Sequence, residues 1–427
     1  MCRCLCVASL AIALALGVLP VGPVSVIAKS SSRGAKASKA KPSAKSRTVK
    51  STKAGKSKKS SKRDNVAKKG KGGKLSKKER ERIARAAAEA RRRELARLAA
   101  IKRFDDSLVE AAKANISRDD MRGEDPFVRQ AAIEALGNRA GTVVVMDPNS
   151  GRVLSIVNQH MAIANAIKPC STIKPVVALA ALSENLMPES DVRILRACNC
   201  EIDMDDALAH SNNEYFQQLG RQMGLETLTT YARQFGFGER SGINLPGEIP
   251  GVLPTEVPGD GLGRVASHGD GIGITAIQLA SFISTVANGG SLYQPQVVSP
   301  GKSFTPILRR QIKLDPKNRR AVLEGMVDAV EIGTARRARD SGESIAGKTG
   351  TCIGGGSWIG LFGSYSQVEN PNLVVVVITR GSTARGKYAA DIAGDVYRLV
   401  SSRYGNTAHR PRKIGDLDSE TPTMTNR

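Results

Sequence analysis

The distribution of strand-forming runs constrains the fold more than any other feature of the chain. Thr142 to Met146 is β-branched and apolar, Asp147-Pro148-Asn149-Ser150-Gly151 has the composition of a turn, and Arg152 to Asn158 returns as a second strand. Strand signals resume at Ser344 to Cys352, Trp358 to Tyr365 and Asn372 to Thr379, joined by turns short enough for antiparallel pairing. The intervening chain is mainly helical, with apolar helices over Ala276 to Asn288 and Arg319 to Gly333 and Pro-rich loops around 245–258. A helix over Asp125 to Gly137 leads into the first strand, and another over Ala389 to Tyr404 closes the pattern. Two strands early and three late predict an α/β (α+β) domain over 125–405. In it, an antiparallel five-stranded sheet is formed from both ends of the domain, with an inserted helical lobe. A site in such a fold lies where the lobe meets the sheet.

Charge separates this domain from what precedes it. Between Lys29 and Arg103 there are 29 lysines and arginines and five acidic residues, a net of +24, which is the net charge of the whole chain. The remainder is balanced, so any polyanion affinity belongs to that segment alone. Residues 29–74 are Lys, Ser, Ala and Gly with almost no large apolar side chain, which predicts disorder. From Leu75 to Phe104, Ser76 and Glu79 make a capping-box signature. Ile83, Leu95, Leu98 and Ile101 then form a narrow apolar stripe, giving a basic helix that reads first as a solvated spacer. Residues 1–28 read as an export signal with Arg3, an apolar core from Val7 to Leu19 and Val26-Ile27-Ala28 at the cleavage site. An uncleaved anchor is the competing reading, weakened by Pro20, Gly22 and Pro23; the basic charge that follows runs against the positive-inside rule in both versions. Export places the protein in the periplasm or cell envelope. Anionic envelope polymers or lipid headgroups are then the expected partners of the basic segment, and nucleic acid is not. The tail, 406–427, is polar and expected to be disordered.

The chemistry is carried by three short motifs in order: Ser171-x-x-Lys174, Ser211-Asn212-Asn213 and Lys348-Thr349-Gly350-Thr351. An i, i+3 pair lies on one face of a helix. Ser171 Oγ and Lys174 Nζ are therefore expected to meet at the first turn of the helix that Pro175 to Leu182 continues. Taken alone the first motif is weak, since Ser38 to Lys41 matches it too. The trio, with its order and contexts, resembles the active site of the penicillin-binding proteins and serine β-lactamases, and the likeness to a penicillin-binding protein transpeptidase domain extends over roughly 125–405.

That resemblance, combined with the chemistry of the side chains, implies a role for each residue. Ser171 is the nucleophile, and Lys174 its base if burial and a cationic neighbour keep it neutral. Lys348 is that neighbour and a contact for the substrate's carboxylate. Ser211 relays a proton to the leaving amine, Asn213 holds the substrate's amide, and Thr349 and Thr351, on either side of Gly350, bind a carboxylate. Backbone N–H groups of Ser171 and Thr351 form the oxyanion hole. The implied reaction is D,D-transpeptidation of peptidoglycan stem peptides with covalent β-lactam binding. D,D-carboxypeptidase, β-lactamase, and a non-catalytic β-lactam-sensing or wall-binding role are the alternatives. No cofactor is expected, no ligand cluster supports a metal, and a glycosyltransferase partner is possible because the chain shows no such domain.

The same resemblance bears on the cysteines. Cys170 precedes the nucleophile and Cys352 follows Thr351, an arrangement similar to the active-site disulfide of class A carbapenemases, which implies a Cys170–Cys352 bond. Cys170 stands where the family usually has glycine. Cys198 and Cys200 are left without an assigned role. His210, His268 and Trp358 read as structural, and Gly269-Asp270-Gly271-Ile272-Gly273 lacks the lysine and strand context of a phosphate loop. The interval from Ser171 to Ser211 is shorter than in most of the family, which trims the helical lobe.

Overall fold

The computed structural model describes residues 76–187, 194–195, 200–298, 301–340 and 342–405. The expectations for 1–28, 29–74, 406–427 and the Cys198–Cys200 pair fall outside the described side chains. The chain divides into two units, Met1–Ala86 and Ala87–Arg427. In the first, the described residues are helical from Lys77 onward.

Helix α1, Lys77–Ile116, outruns the predicted end at Phe104. Its continuation holds residues that favour helix ends over interiors, and Asp105, Asp106 and Ser107 all find partners. Asp106 pairs with Lys102 one turn earlier at 2.6 Å, and Ser107 Oγ donates to the Phe104 carbonyl. Asp105 accepts from the Ser382 N–H at 2.8 Å and from the Ser382 hydroxyl. The connection after α1 is fastened by charge. Arg129, on helix α2 (Pro126–Leu136), donates to Asp119 at 2.9 Å and Glu124 at 2.8 Å, and both carboxylates are almost fully enclosed. These carboxylates in turn accept from the backbone N–H groups of Ile156, Asn158 and Gln159, so the pairing does not leave lone pairs stranded.

The central sheet has the predicted five antiparallel strands: β1 (Ala140–Met146), β2 (Val153–Val157), β3 (Ile345–Gly354), β4 (Ser357–Ser366) and β5 (Leu373–Gly381), in the order β2-β1-β5-β4-β3. The first strand of the early pair thus docks on the last strand of the late trio, with Val143 opposite Val377 and Val145 opposite Val375. Both faces are covered, which is why β1 and β5 read as near-continuous apolar runs. Val144, Met146, Val374, Val376 and Ile378 point into the larger core, shared with the helical lobe; Val143, Val145, Leu373, Val375 and Val377 point into a smaller one. Helix α2 and the C-terminal helix complete that smaller core.

The lobe comprises α3 (Gln159–Ile163), α4 (Lys174–Ser183), α5 (Met204–Ala209), α6 (Asn213–Gln234), α7 (Leu262–His268), α8 (Ala276–Ala287) and α9 (Pro316–Glu331); α10, Gly386–Tyr404, closes the chain. Helix α8 is buried along its whole length, capped by a reciprocal pair between Thr275 and Gln278, and lies against the sheet. Strand β3 is at the sheet edge nearest the lobe, so the third motif faces the first two across the junction.

Candidate active site

The turn that carries Ser171 is built differently from the predicted helical first turn. Cys170–Ile173 forms a single 3-10 turn, and α4 begins only at Lys174. The turn is squeezed between two glycines. A Cβ on Gly350 would stand 3.0 Å from the Pro169 carbonyl oxygen, and one on Gly269 only 2.4 Å from Pro169 Cγ. Cys170 has φ of 52°, in the left-handed region, a conformation that glycine adopts without penalty. A disulfide joins Cys170 to Cys352 with Cα atoms 5.7 Å apart, linking the turn to β3.

Ser171 Oγ is 3.5 Å from the Ser267 carbonyl, and no hydrogen bond joins it to Lys174. The expected direct pair is replaced because Lys174 points to the second motif. Its Nζ donates to the Ser211 carbonyl at 2.7 Å, to Ser211 Oγ at 2.9 Å and to Asn213 Oδ1 at 2.7 Å. An ammonium group would spend its three protons on those bonds, while a neutral amine donates two and accepts the third from the Ser211 hydroxyl. Lys174 has no exposed surface. Burial, and then the charge of Lys348, push its pKa well below the usual lysine value. Lys348 is also wholly enclosed; burial lowers its pKa to about 7, and its Nζ donates to the Thr349 carbonyl at 3.2 Å. Lys348 is not among the residues that line the cleft described below.

Ser211 has φ of 56° at the end of α5, and Asn212 caps α6 by accepting from the Tyr215 N–H at 3.0 Å. Asn213 Oδ1 is taken by Lys174, leaving its amide N–H groups for the cleft. The Thr349 and Thr351 hydroxyls are anchored from behind. Thr349 Oγ1 bonds Thr334 Oγ1 at 2.7 Å, and Thr351 Oγ1 accepts from the Gly386 N–H at 2.8 Å. All three motifs open on one cavity of about 460 Å³. Thr334, Arg385 and Lys387 also line it, and sequence reading missed them. Thr334 N–H donates to the Ala209 carbonyl, tying the second motif's helix to the third motif's strand. The Gly269–Gly273 loop carries Asp270, which pairs with Lys168 and with Arg264, so it braces the wall behind the Ser171 turn. His268 shares a 2.6 Å bond with Ser267, and burial followed by the charges of Arg264 and Lys174 lowers its pKa. Among the described residues, no group of three or more His, Cys, Asp or Glu side chains is arranged to hold a metal.

A lobe inserted into an antiparallel sheet, with a serine, two enclosed lysines and a Lys-Thr-Gly-Thr edge strand at their junction, defines the serine β-lactamase and penicillin-binding protein class. Comparison with known proteins narrows it. The profile of the penicillin binding protein transpeptidase domain matches residues 141–398. Stage V sporulation protein D of Bacillus subtilis is 26% identical over 310 residues, covering 60% of this chain and 48% of that protein. Peptidoglycan D,D-transpeptidase MrdA of Acinetobacter baumannii is 25% identical over 382 residues, covering 68% of this chain and 57% of the relative. The chain thus spans about half the length of the curated relatives it matches. A crystal structure of the D,D-transpeptidase domain of a peptidoglycan glycosyltransferase from Eggerthella lenta shares the fold, with a TM-score of 0.53 and 22% identity over 65% of this chain and 81% of that one. This chain belongs to the penicillin-binding protein transpeptidase family.

Proposed function

We propose that the protein is a serine D,D-transpeptidase of peptidoglycan stem peptides that acylates at Ser171. The observation that carries this reading is the convergence of Ser171, Ser211, Asn213, Thr349 and Thr351 on one cavity backed by two enclosed lysines. Ser171 Oγ attacks the carbonyl of the D-Ala-D-Ala bond, and its proton passes to neutral Lys174. Because the Lys174–Ser211 hydrogen bond can run in either direction, Ser211 hands a proton on to the departing D-Ala amine. The C–N bond breaks, leaving an ester on Ser171. An amine from a neighbouring stem then attacks that ester and regenerates the hydroxyl. Asn213 holds the peptide amide, and the Ser171 and Thr351 N–H groups receive the developing oxyanion. A β-lactam acylates the same serine by ring opening and keeps its amine tethered.

Fluorescent penicillin tests the reading. Wild-type protein is expected to carry one durable adduct on Ser171, and Ser171→Ala none. An unlabelled wild type overturns it, while rapid release of hydrolysed penicillin would assign the chain to the β-lactamases.

A further inference from the structure

Near its C-terminal end, helix α1 turns one face to the rest of the domain: Ile101, Asp105, Leu108, Val109 and Ala112 are partly or fully buried, while the residues between them stay exposed. An aspartate in the middle of this otherwise apolar face suits neither a helix interior nor a packed contact unless its oxygens are bonded. They are bonded, to a residue 277 positions away. One oxygen accepts from the Ser382 N–H at 2.8 Å and the other from the Ser382 hydroxyl. Gly381, with φ of 135°, lets the carboxylate come this close, since a Cβ there would stand 3.2 Å from Asp105 Oδ1.

Ser382 opens the short loop between β5 and α10, and that loop ends against the third motif. Arg385 donates to the Ala384 carbonyl at 2.6 Å and lays its guanidinium 3.7 Å from the Trp358 ring centre. Its backbone runs over Gly360, where a Cβ would lie 2.5 Å from the Arg385 carbonyl oxygen. Gly386 follows and donates its N–H to Thr351 Oγ1 at 2.8 Å. A run of bonds and close contacts thus leads from α1 to the strand residue whose own N–H is proposed to receive the oxyanion. Packing alone does not fix the loop. A cavity of about 350 Å³ lies beside the clasp, lined by Asp105, Thr383, Ala384 and Tyr388 among others, and gives the loop room to shift once Asp105 releases it.

We infer that Asp105 is a positioning residue for acylation, which holds the 382–386 loop through Ser382 and thereby sets Thr351 against the scissile carbonyl. The inference rests on the acyl-transfer reading above. Two bonds to a carboxylate make a stiff clasp, and a displacement of about 1 Å in the reacting geometry can cost about 100-fold in rate.

The test follows labelling of the full chain over a series of penicillin concentrations, together with the fluorescence of Trp358. This is the chain's only tryptophan and it lies under Arg385, so its emission reports the position of the loop. Asp105→Ala is expected to slow acylation at saturating penicillin by about 10-fold or more, with the half-saturating concentration little changed, and to shift Trp358 emission. Asp105→Asn, whose amide accepts from the Ser382 N–H and donates to its hydroxyl, should restore most of both. Ser382→Ala loses the hydroxyl bond alone and should show a smaller effect of the same kind; it carries the test if Asp105→Ala does not fold. Asp106→Ala breaks the neighbouring pair with Lys102, outside the clasp, and should match wild type. Wild-type acylation in the clasp variants, slowing without a change in Trp358 emission, or equal slowing in Asp106→Ala overturns the inference. An unlabelled wild type removes the acyl-transfer reading and this inference with it, whereas labelled wild type with unaffected clasp variants removes the inference alone.

Discussion

Lys348 gives the site a pH signature that one side chain can test. Burial lowers its pKa from 10.5 to about 7 in the folded protein. Between those values the unfolded chain holds a proton that the native chain does not, so stability rises with pH through this window and its deficit is complete below about 7. Lys348→Met keeps the volume and removes the charge. Its stabilising effect in denaturant unfolding is expected to be greater at pH 6 than at pH 10 by on the order of 4 kcal/mol. An equal effect at both pH values would show that Lys348 titrates normally. At this scale the motifs were legible and their wiring was not. Ser171, Lys174, Ser211, Asn213 and the Lys348–Thr351 run are visible as short patterns, but nothing in a spacing of three says that Lys174 turns to Ser211 and Asn213. Thr334, Arg385 and Lys387 belong to no pattern. They reach the cavity only because glycines at 333, 360 and 386 let three separate backbones approach closely.

The Ser171 turn and strand β3 behave as one element because a disulfide closes a span of 182 residues between them. A cross-link over so long a loop is expected to contribute about 2–4 kcal/mol. Cys170→Ser/Cys352→Ser should lose that much in denaturant unfolding and acylate more slowly with penicillin, as the turn gains freedom against the edge strand. Cys170→Gly/Cys352→Ser should recover about 1 kcal/mol of the loss, since glycine accepts the left-handed backbone at 170 without penalty. If the serine and glycine variants were equally stable, φ at 170 would have no energetic weight. The elements themselves were largely readable. Short β-branched and apolar runs bounded by turn residues located all five strands, and the early-and-late split implied a sheet composed from both ends. Two features escaped: the 3-10 turn at Cys170–Ile173, which is imposed by packing against Gly350 and Gly269, and the extension of α1 to Ile116, whose Asp105 finds its partner at Ser382. Both are set by contacts distant in sequence, which local periodicity does not encode.

For the whole molecule, the decisive contrast is between a charge-balanced transpeptidase-family domain and a basic segment that carries the net charge. Residues 29–74 alone hold 18 lysines and arginines and one aspartate. Juxtaposed with anionic headgroups, each cation is worth about 1 kcal/mol at low salt, screened within a Debye length of about 8 Å at physiological ionic strength. We propose that this segment holds the protein to anionic envelope surfaces while the transpeptidase domain works independently of it. Among the described residues no helix is long and apolar enough to cross a membrane, so the described part supplies no helical anchor of its own. Full chain and a 29–74 deletion should therefore differ on vesicles of mixed phosphatidylglycerol and phosphatidylcholine. The full chain is expected to co-sediment at low salt and to be released progressively as salt rises, and the deletion to remain in solution throughout. Both should label equally with fluorescent penicillin, because the site residues lie in the unit that begins at Ala87. Equal sedimentation of the two proteins at every salt concentration would refute electrostatic retention, and weaker labelling of the deletion would show that the basic segment reaches into the catalytic chemistry.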